Sequence, residues 1–242
     1  MNILRLEKAD STNTWVSQHE NEVASPAFVY CMEQTAGRGQ RGNSWESQPG
    51  KNITASVIFH PHNFNASQQF AISEAIALAI VDFLKSLEIH AKIKWPNDIY
   101  VGDKKICGIL VEHVVTGKNI SRTIAGFGIN INQVNFYSDA PNPVSAKILT
   151  GKEYNLERLI PELANSIENY IIRLSEPEIF HDSFLSLLWR GDGNIYNFFD
   201  RIRNEKIKAR IDSVGKEGVM TLSTENGEKR TYAFKEVEFI LE

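Results

Sequence analysis

The chain has 242 residues, 42% hydrophobic and 23% charged, a globular balance that excludes a disordered chain. Its 26 Lys+Arg against 30 Asp+Glu leave a formal charge of −4, which excludes a generally basic nucleic-acid coat but leaves room for a local basic site. Two cysteines, Cys31 and Cys107, cannot build a disulfide scaffold, and Met1 to Lys8 lacks the apolar core of a signal peptide. A reducing cytoplasm is the compartment these features lead us to expect.

Asp10-Ser11-Thr12-Asn13 ahead of Trp15 and Val16 predicts a capped helix start. Residues 28–32 read as a buried strand ending at Glu33-Gln34. The stretch from Thr35 to Asn52 has almost no apolar side chains and carries four glycines, so it is expected to be a surface loop, and one of that length is usually functional. A strand follows over 53–60. Residues 70–87 are strongly apolar but interrupted by Glu74, Asp82 and Lys85, which predicts a packed amphipathic helix and no membrane span.

Short strands are then expected over 91–95, 99–101, 106–112 and 122–131, with Gly102-Asp103 turning a hairpin between the second and third. Helical periodicity returns over 156–174 and 180–189. Beyond the break at Arg190-Gly191-Asp192-Gly193-Asn194, alternation over 206–211, 219–223, 229–234 and 237–241, with a tight turn at Asn226-Gly227, predicts a small β-barrel. The expected architecture is α+β: a mixed sheet with helices packed on it over residues 1–190, and a small β domain over 191–242.

Gly37-Arg38-Gly39-Gln40-Arg41-Gly42 fits the spacing of a dinucleotide or kinase phosphate loop, but both fail on context. No helix opens directly after it, and the lysine and acidic signatures of a kinase are missing. What remains is a loop whose backbone N–H groups and two guanidinium forks suit a phosphate or carboxylate, with a solvated loop touching nothing as the alternative. Lys94-Trp95-Pro96-Asn97-Asp98 and Lys105 add cations, an aromatic plate and a carboxylate beside a hairpin, a set able to bring two anions together, although a lone exposed lysine is by default a solvated one. The six histidines are scattered. They offer no zinc set and no nucleophile–His–acid arrangement, and no metal site is expected.

Five motifs stand in order: Asp10-Ser11-Thr12-Asn13, Gln34 through Gly42, Lys94 through Asp98, Lys105 through Glu112, and Gly126-Phe127-Gly128-Ile129-Asn130. Together they closely resemble the biotin protein ligases over almost the whole chain, the β-rich tail resembling that family's SH3-like C-terminal domain. The resemblance implies the mixed sheet of the class II synthetase and biotin ligase-like fold. It also implies a two-step reaction with ATP and biotin as substrates and Mg²⁺ accompanying ATP: formation of biotinyl-5′-AMP, then transfer to a lysine of a biotin carboxyl carrier protein. Carried over by position, Lys105 and Arg38 become the catalytic cations. Ser11, Thr12, Asn13, Gln34, Gly37, Arg38, Gly39, Gln40, Lys105, Gly108 and Gly126 become the biotin-binding set. Arg38, Arg41, Trp45, Lys94, Asn97, Asp98, Lys105 and Asn130 become the ATP and adenylate set. Trp45 is open between a wall over the adenylate and an aromatic anchor for its loop; Trp95 and Cys107 are expected to support the core.

The motif for biotin begins within a dozen residues of Met1, so no DNA-binding domain is expected and DNA is not an expected partner; nor is a membrane. A monomer and a homodimer both suit the sequence. The rivals are a lipoate or octanoate transferase of the same architecture and a non-catalytic biotin- or phosphate-binding protein. Many members of the resembled family carry arginine at the position of Gln40, and a neutral amide cannot replace that charge-assisted contact. Gln40→Arg is therefore expected to slow dissociation of biotinyl-5′-AMP by about tenfold, read by stopped-flow dilution of the complex; an unchanged or faster rate would refute it.

Overall fold

A computed structural model describes residues 1–138 and 142–241, the Arg41 side chain excepted. The chain opens with strand β1 (Asn2–Ala9), helix α1 (Thr12–Gln18) and strand β2 (Ala27–Gln34). After the glycine–arginine loop come β3 (Ile53–Phe59), α2 (Gln69–Ser86), β4 (Lys92–Lys94), β5 (Asp98–Val101), β6 (Lys104–Thr116) and β7 (Asn119–Ile129). Helices α3 (Ala146–Thr150), α4 (Leu156–Ile171) and α5 (Glu178–Ser186) follow. The tail contributes β8 (Tyr196–Asp200), β9 (Glu205–Val214), β10 (Met220–Thr224), β11 (Lys229–Tyr232) and β12 (Val237–Phe239).

The first seven strands form one sheet in the order β1-β2-β3-β7-β6-β5-β4, and the last five form a second in the order β11-β10-β9-β8-β12. Only β1 and β2 run parallel in the first sheet; every other pair in either sheet is antiparallel. This mixed arrangement with helices on it is the expected α+β architecture.

Strand β3 shows how the layers divide. It is buried at all seven positions rather than alternating between core and solvent, because both sheet faces are covered. Ile53, Ala55, Val57 and Phe59 turn to the large core with α2, α4 and α5, whereas Ile58 joins Val16 of α1 in a smaller cluster on the opposite face. Period-two geometry then puts Thr54 and Ser56 on the α1 face as well.

Helix α2 departs from the amphipathic expectation. The segment Ala66–Ser86 is long and apolar enough, by length and composition, to cross a membrane, but most of it is buried against the sheet, α4 and α5. Glu74 belongs to the buried set, not to an outer polar stripe: its Oε1 lies 2.7 Å from His181 Nδ1 of α5. Burial pushes the Glu74 carboxyl upward, and the His181 contact opposes that push. Phe70 of α2 meets Phe184 of α5 edge-on at 5.4 Å, which fixes this helix pair against the core.

The second sheet is docked on the first rather than tethered to it. Trp95 Nε1 donates to Gly218 O at 2.9 Å, and the Trp95 ring meets Phe234 edge-on. Arg190 Nη1 donates to Ile240 O at 3.1 Å, and the Trp189 ring packs on Phe239. Trp95 is buried in the core, and it also belongs to the lining of a large cavity. Cys107 is fully buried, and that burial pushes its thiol far up, away from nucleophilic use.

Candidate functional site

Cross-strand register builds the floor of the site. Gly108 of β6 pairs with Gly128 of β7, and Gly126 of β7 pairs with Ser56 of β3. Three glycines and a serine therefore leave a patch of nearly bare backbone at the centre of a sheet whose other positions are bulky. The consequence is steric. A Cβ at Gly126 would stand 2.0 Å from Asn13 Oδ1, and one at Gly128 would stand 2.2 Å from Trp45 Nε1.

Helix α1 overhangs this floor with its first turn. Ser11 is the N-cap by backbone geometry but makes no side-chain capping bond, so its hydroxyl is not committed to the helix. Gln34 Oε1 accepts from the Thr12 backbone N–H at 2.9 Å. Ser56 Oγ lies 2.7 Å from Thr12 Oγ1 and 2.6 Å from Asn13 Oδ1. Because an amide oxygen only accepts, the Ser56 hydroxyl donates to Asn13, and the Thr12 hydroxyl has two acceptors within reach, Ser56 Oγ and Gln34 Oε1 at 3.2 Å. Ser11, Thr12 and Asn13 are each buried.

The glycine–arginine loop folds back as a small hairpin over the floor. Gly39 N donates to Asn43 O at 2.7 Å, Trp45 N donates to Gly37 O at 2.9 Å, and Arg38 bridges Ser44. Arg38 Nη2 reaches Glu112 Oε1 at 3.0 Å, with Thr14 Oγ1 at 3.4 Å from Nη1. Downstream the loop is anchored by Glu46, which accepts from Tyr137 N, Ser138 N and Gln133 Nε2. Burial pushes the Glu46 carboxyl up, but these N–H donors overcome it and hold the group below the ordinary carboxylate range. Trp45 itself turns inward onto Gly108 and Gly128, with Lys105 Nζ 5.5 Å from its ring centroid; its buried Nε1 has no hydrogen-bond partner among the described residues.

Beyond Gly108 lies a second, more charged half. Lys105 Nζ sits 2.7 Å from Asp98 Oδ1. Lys94 Nζ stands 5.0 Å from the Tyr100 ring centroid and 5.2 Å from that of Phe239, which the second sheet contributes. Burial lowers the Lys94 pKa, and the nearby Asp98 charge opposes that shift. Asn97 Nδ2 donates to Ile109 O, tying the strand-end turn to β6.

The two halves are one cavity of about 1210 Å³. Ordinary small-molecule pockets occupy roughly 300–1,000 Å³, so this volume accommodates two ligands side by side. Its lining gathers Ser11, Thr12, Asn13, Gln34, Arg38, Gly39, Gln40, Trp45, Lys94, Asn97, Asp98, Lys105, Gly108 and Gly126 from the sequence-derived set. Gln40 begins the short 3-10 turn Gln40–Gly42, and its buried Oε1 has no partner among the described residues.

Three expected members stand apart. Asn130 is buried and is not part of the lining: its Nδ2 donates to Val144 O at 3.1 Å, while its buried Oδ1 has no partner among the described residues. Gly37 is likewise outside the lining and serves the loop hairpin, where a Cβ would stand 2.4 Å from Trp45 O. The Arg41 side chain lies outside the described groups.

Other lining residues escape sequence reasoning. Gly128 was legible, since it lies two strand positions from Gly126 and so shares its face. Ser56 carries no motif, and its role follows only from register. Glu238 and Phe239 reach the cavity from the second sheet and Arg201, Phe234 and Lys235 from the turns that join its strands, more than ninety residues after Lys105, with no local signal to mark them.

A model of the biotin/lipoate A/B protein ligase family matches residues 6–130. The chain belongs to the biotin/lipoate A/B protein ligase family. It is 27% identical over 235 residues to the bifunctional ligase/repressor BirA of Bacillus subtilis, a match covering 92% of this chain and 70% of that one. It is 29% identical over 176 residues to a biotin–[acetyl-CoA-carboxylase] ligase of Paracoccus denitrificans, covering 70% of this chain and 72% of that one. In fold it is similar to the biotin protein ligase of Aquifex aeolicus in complex with biotin and ATP, with a TM-score of 0.79 at 24% identity over 98% of this chain and 97% of that one.

Gly126→Ala should drive Asn13 off the floor and break its buried contacts, lowering stability by about 1–3 kcal/mol in urea unfolding. An unchanged midpoint and slope would mean that Asn13 is not held there.

Proposed function

We propose that the chain is an ATP-dependent ligase that activates biotin as biotinyl-5′-AMP and transfers the biotinyl group to a lysine of a biotin carboxyl carrier protein. One observation carries this reading: residues from all five sequence motifs converge on a single cavity, where Lys105 pairs with Asp98 beside Gly108. The half under α1 offers buried neutral donors and acceptors from Ser11, Thr12, Asn13 and Gln34, suited to a ureido ring. The half beside Lys94, Asn97 and Asp98 is charged and aromatic, suited to a nucleotide.

In the first step a carboxylate oxygen of biotin attacks the α-phosphorus of ATP. A P–O bond forms, the bridging P–O bond to the β-phosphate breaks, and pyrophosphate leaves. The reactants are both anions, so the protein contributes positioning and positive charge. All three line the cavity, and in this reading Lys105 would touch the carboxylate and the α-phosphate together, Arg38 would cover them from the loop, and Lys94 would meet the nucleotide. In the second step the neutral ε-amine of the acceptor lysine attacks the acyl carbon of the mixed anhydride. A C–N bond forms, the acyl C–O bond breaks, and AMP leaves with the negative charge.

Mg²⁺ enters with ATP as part of that substrate. Magnesium with a nucleotide is held largely by phosphate oxygens and water. Asp98 and Glu238 are the carboxylates that line this half and would meet it. Cys31 and Cys107 are free and buried, which supports a reducing cytoplasm as the compartment. The reading needs neither DNA nor a membrane.

The lipoyl branch of the family is the rival reading. It is disfavoured by the buried Ser11 hydroxyl, which makes no capping bond, and by the second acceptor position of Asn13 Oδ1, neither of which a dithiolane ring could match. Labelling of a biotin carboxyl carrier domain should require both ATP and biotin and ignore excess lipoate. Lys105→Ala should reduce it by about 10²- to 10³-fold while leaving the fold intact by circular dichroism. Labelling that survives Lys105→Ala, or that lipoate suppresses, would contradict the reading.

A further inference from the structure

Glu112 has no part in the roles assigned so far, yet its carboxylate joins two elements of the ligand-binding half. It stands on β6 four residues past Gly108 and on the same strand face. One oxygen, Oε2, accepts from Asn13 Nδ2 at 2.8 Å; the other, Oε1, accepts from Arg38 Nη2 at 3.0 Å.

An ionised carboxylate accepts and never donates, so Asn13 must turn its NH₂ toward Glu112. The Leu110 carbonyl, 3.3 Å from the same nitrogen, is a second and longer acceptor. With that sense fixed, the Asn13 carbonyl oxygen faces Ser56 Oγ and the floor at Gly126. Ser56 occupies one of its two acceptor positions, and because Asn13 lines the cavity the other can serve a ligand. A ureido ring brings N–H donors; a dithiolane ring brings none. Were the amide turned over, its N–H groups would meet the ligand's N–H groups.

We propose that Glu112 is a positioning residue of the ligase. It fixes the sense of the Asn13 amide so that the cavity presents an acceptor to a ureido N–H, and it holds Arg38 of the loop over the same end. The inference rests on the ligase reading above and names the residue through which that site distinguishes a ureido ligand. The Arg38 pair is about half-exposed and contributes little alone; the part-buried contact with Asn13, itself a buried residue, carries the selectivity.

The test reverses donor and acceptor across the contact, with biotin binding read by titration calorimetry. Glu112→Gln can donate as well as accept, so only the longer Leu110 contact still favours the native sense of the Asn13 amide, and biotin binds about tenfold more weakly. Asn13→Asp sets two carboxylates together and weakens binding by about a hundredfold. Combining the two substitutions restores the pair with the sense exchanged: the new amide at position 112 donates, and the new carboxylate at position 13 still shows an acceptor to the cavity. The combined variant should bind biotin at least about tenfold more tightly than Asn13→Asp alone. Losses that merely add, in a protein whose native form binds biotin, overturn the role of Glu112 and leave the ligase reading standing. A folded native protein that binds no biotin overturns both.

Should Asn13→Asp fail to fold, Glu112→Gln decides the matter through kinetics. A KM for biotin raised about tenfold with the KM for ATP unchanged upholds the proposal, and equal changes in both overturn it.

Discussion

A carboxylate and a triphosphate repel each other, and the cavity is organised around making them neighbours. At 4 Å two unit charges interact by about 4 kcal/mol at an effective dielectric of 20, so one well-placed cation changes the encounter decisively. Here the cations are held before any substrate arrives. Lys105 rests on Asp98, Arg38 rests on Glu112, and Lys94 stands over the rings of Tyr100 and Phe239. Each has a partner that keeps it in the cavity without neutralising it by burial alone. The anions then exchange one counter-charge for another rather than recruiting a mobile side chain from water.

That arrangement depends on the bare floor. Gly108, Gly126 and Gly128 meet in register at the centre of the sheet, and their lack of side chains lets Trp45, Asn13 and Lys105 approach the backbone. The same strands bury large side chains on the opposite face against α2, so the floor is rigid as well as open. The second sheet completes the charged half: Phe234 braces Trp95, Phe239 lies under Lys94, and Arg201 with Glu238 closes the rim. The cavity therefore belongs to both sheets, and what lies beyond Trp189 is part of the site.

Much of this was legible in the residues. The loop from Thr35 to Asn52 declared itself by lacking apolar side chains, and the β5–β6 hairpin by Gly102-Asp103, where Gly102 adopts φ +57°. The motif residues Ser11 through Asn13, Arg38, Lys94 and Lys105 carried chemistry at recognisable spacing. What escaped had physical reasons. Strand β1 alternates charge with Leu4 and Leu6 along the edge of the sheet, so its pattern is weak, and β8 sits directly behind a glycine-rich break. Glu74 looked like part of a polar stripe because its partner, His181, lies more than a hundred residues later in the chain. Asn130 ends a motif whose glycines line the cavity, but it lies outside that lining itself, and its Nδ2 ties down the following segment through tertiary contacts that no local pattern shows. Ser56 and Glu112 matter only through cross-strand register, which no local pattern reveals.

The most direct measurement is exchange of radiolabelled pyrophosphate into ATP, catalysed by the native chain with biotin or lipoate as the only carboxylate. It isolates the first step from any acceptor protein. The account predicts exchange that requires biotin and is absent with lipoate, because the buried polar end under α1 matches a ureido ring. Exchange supported by lipoate, or none with biotin in a folded protein that binds ATP, would contradict it.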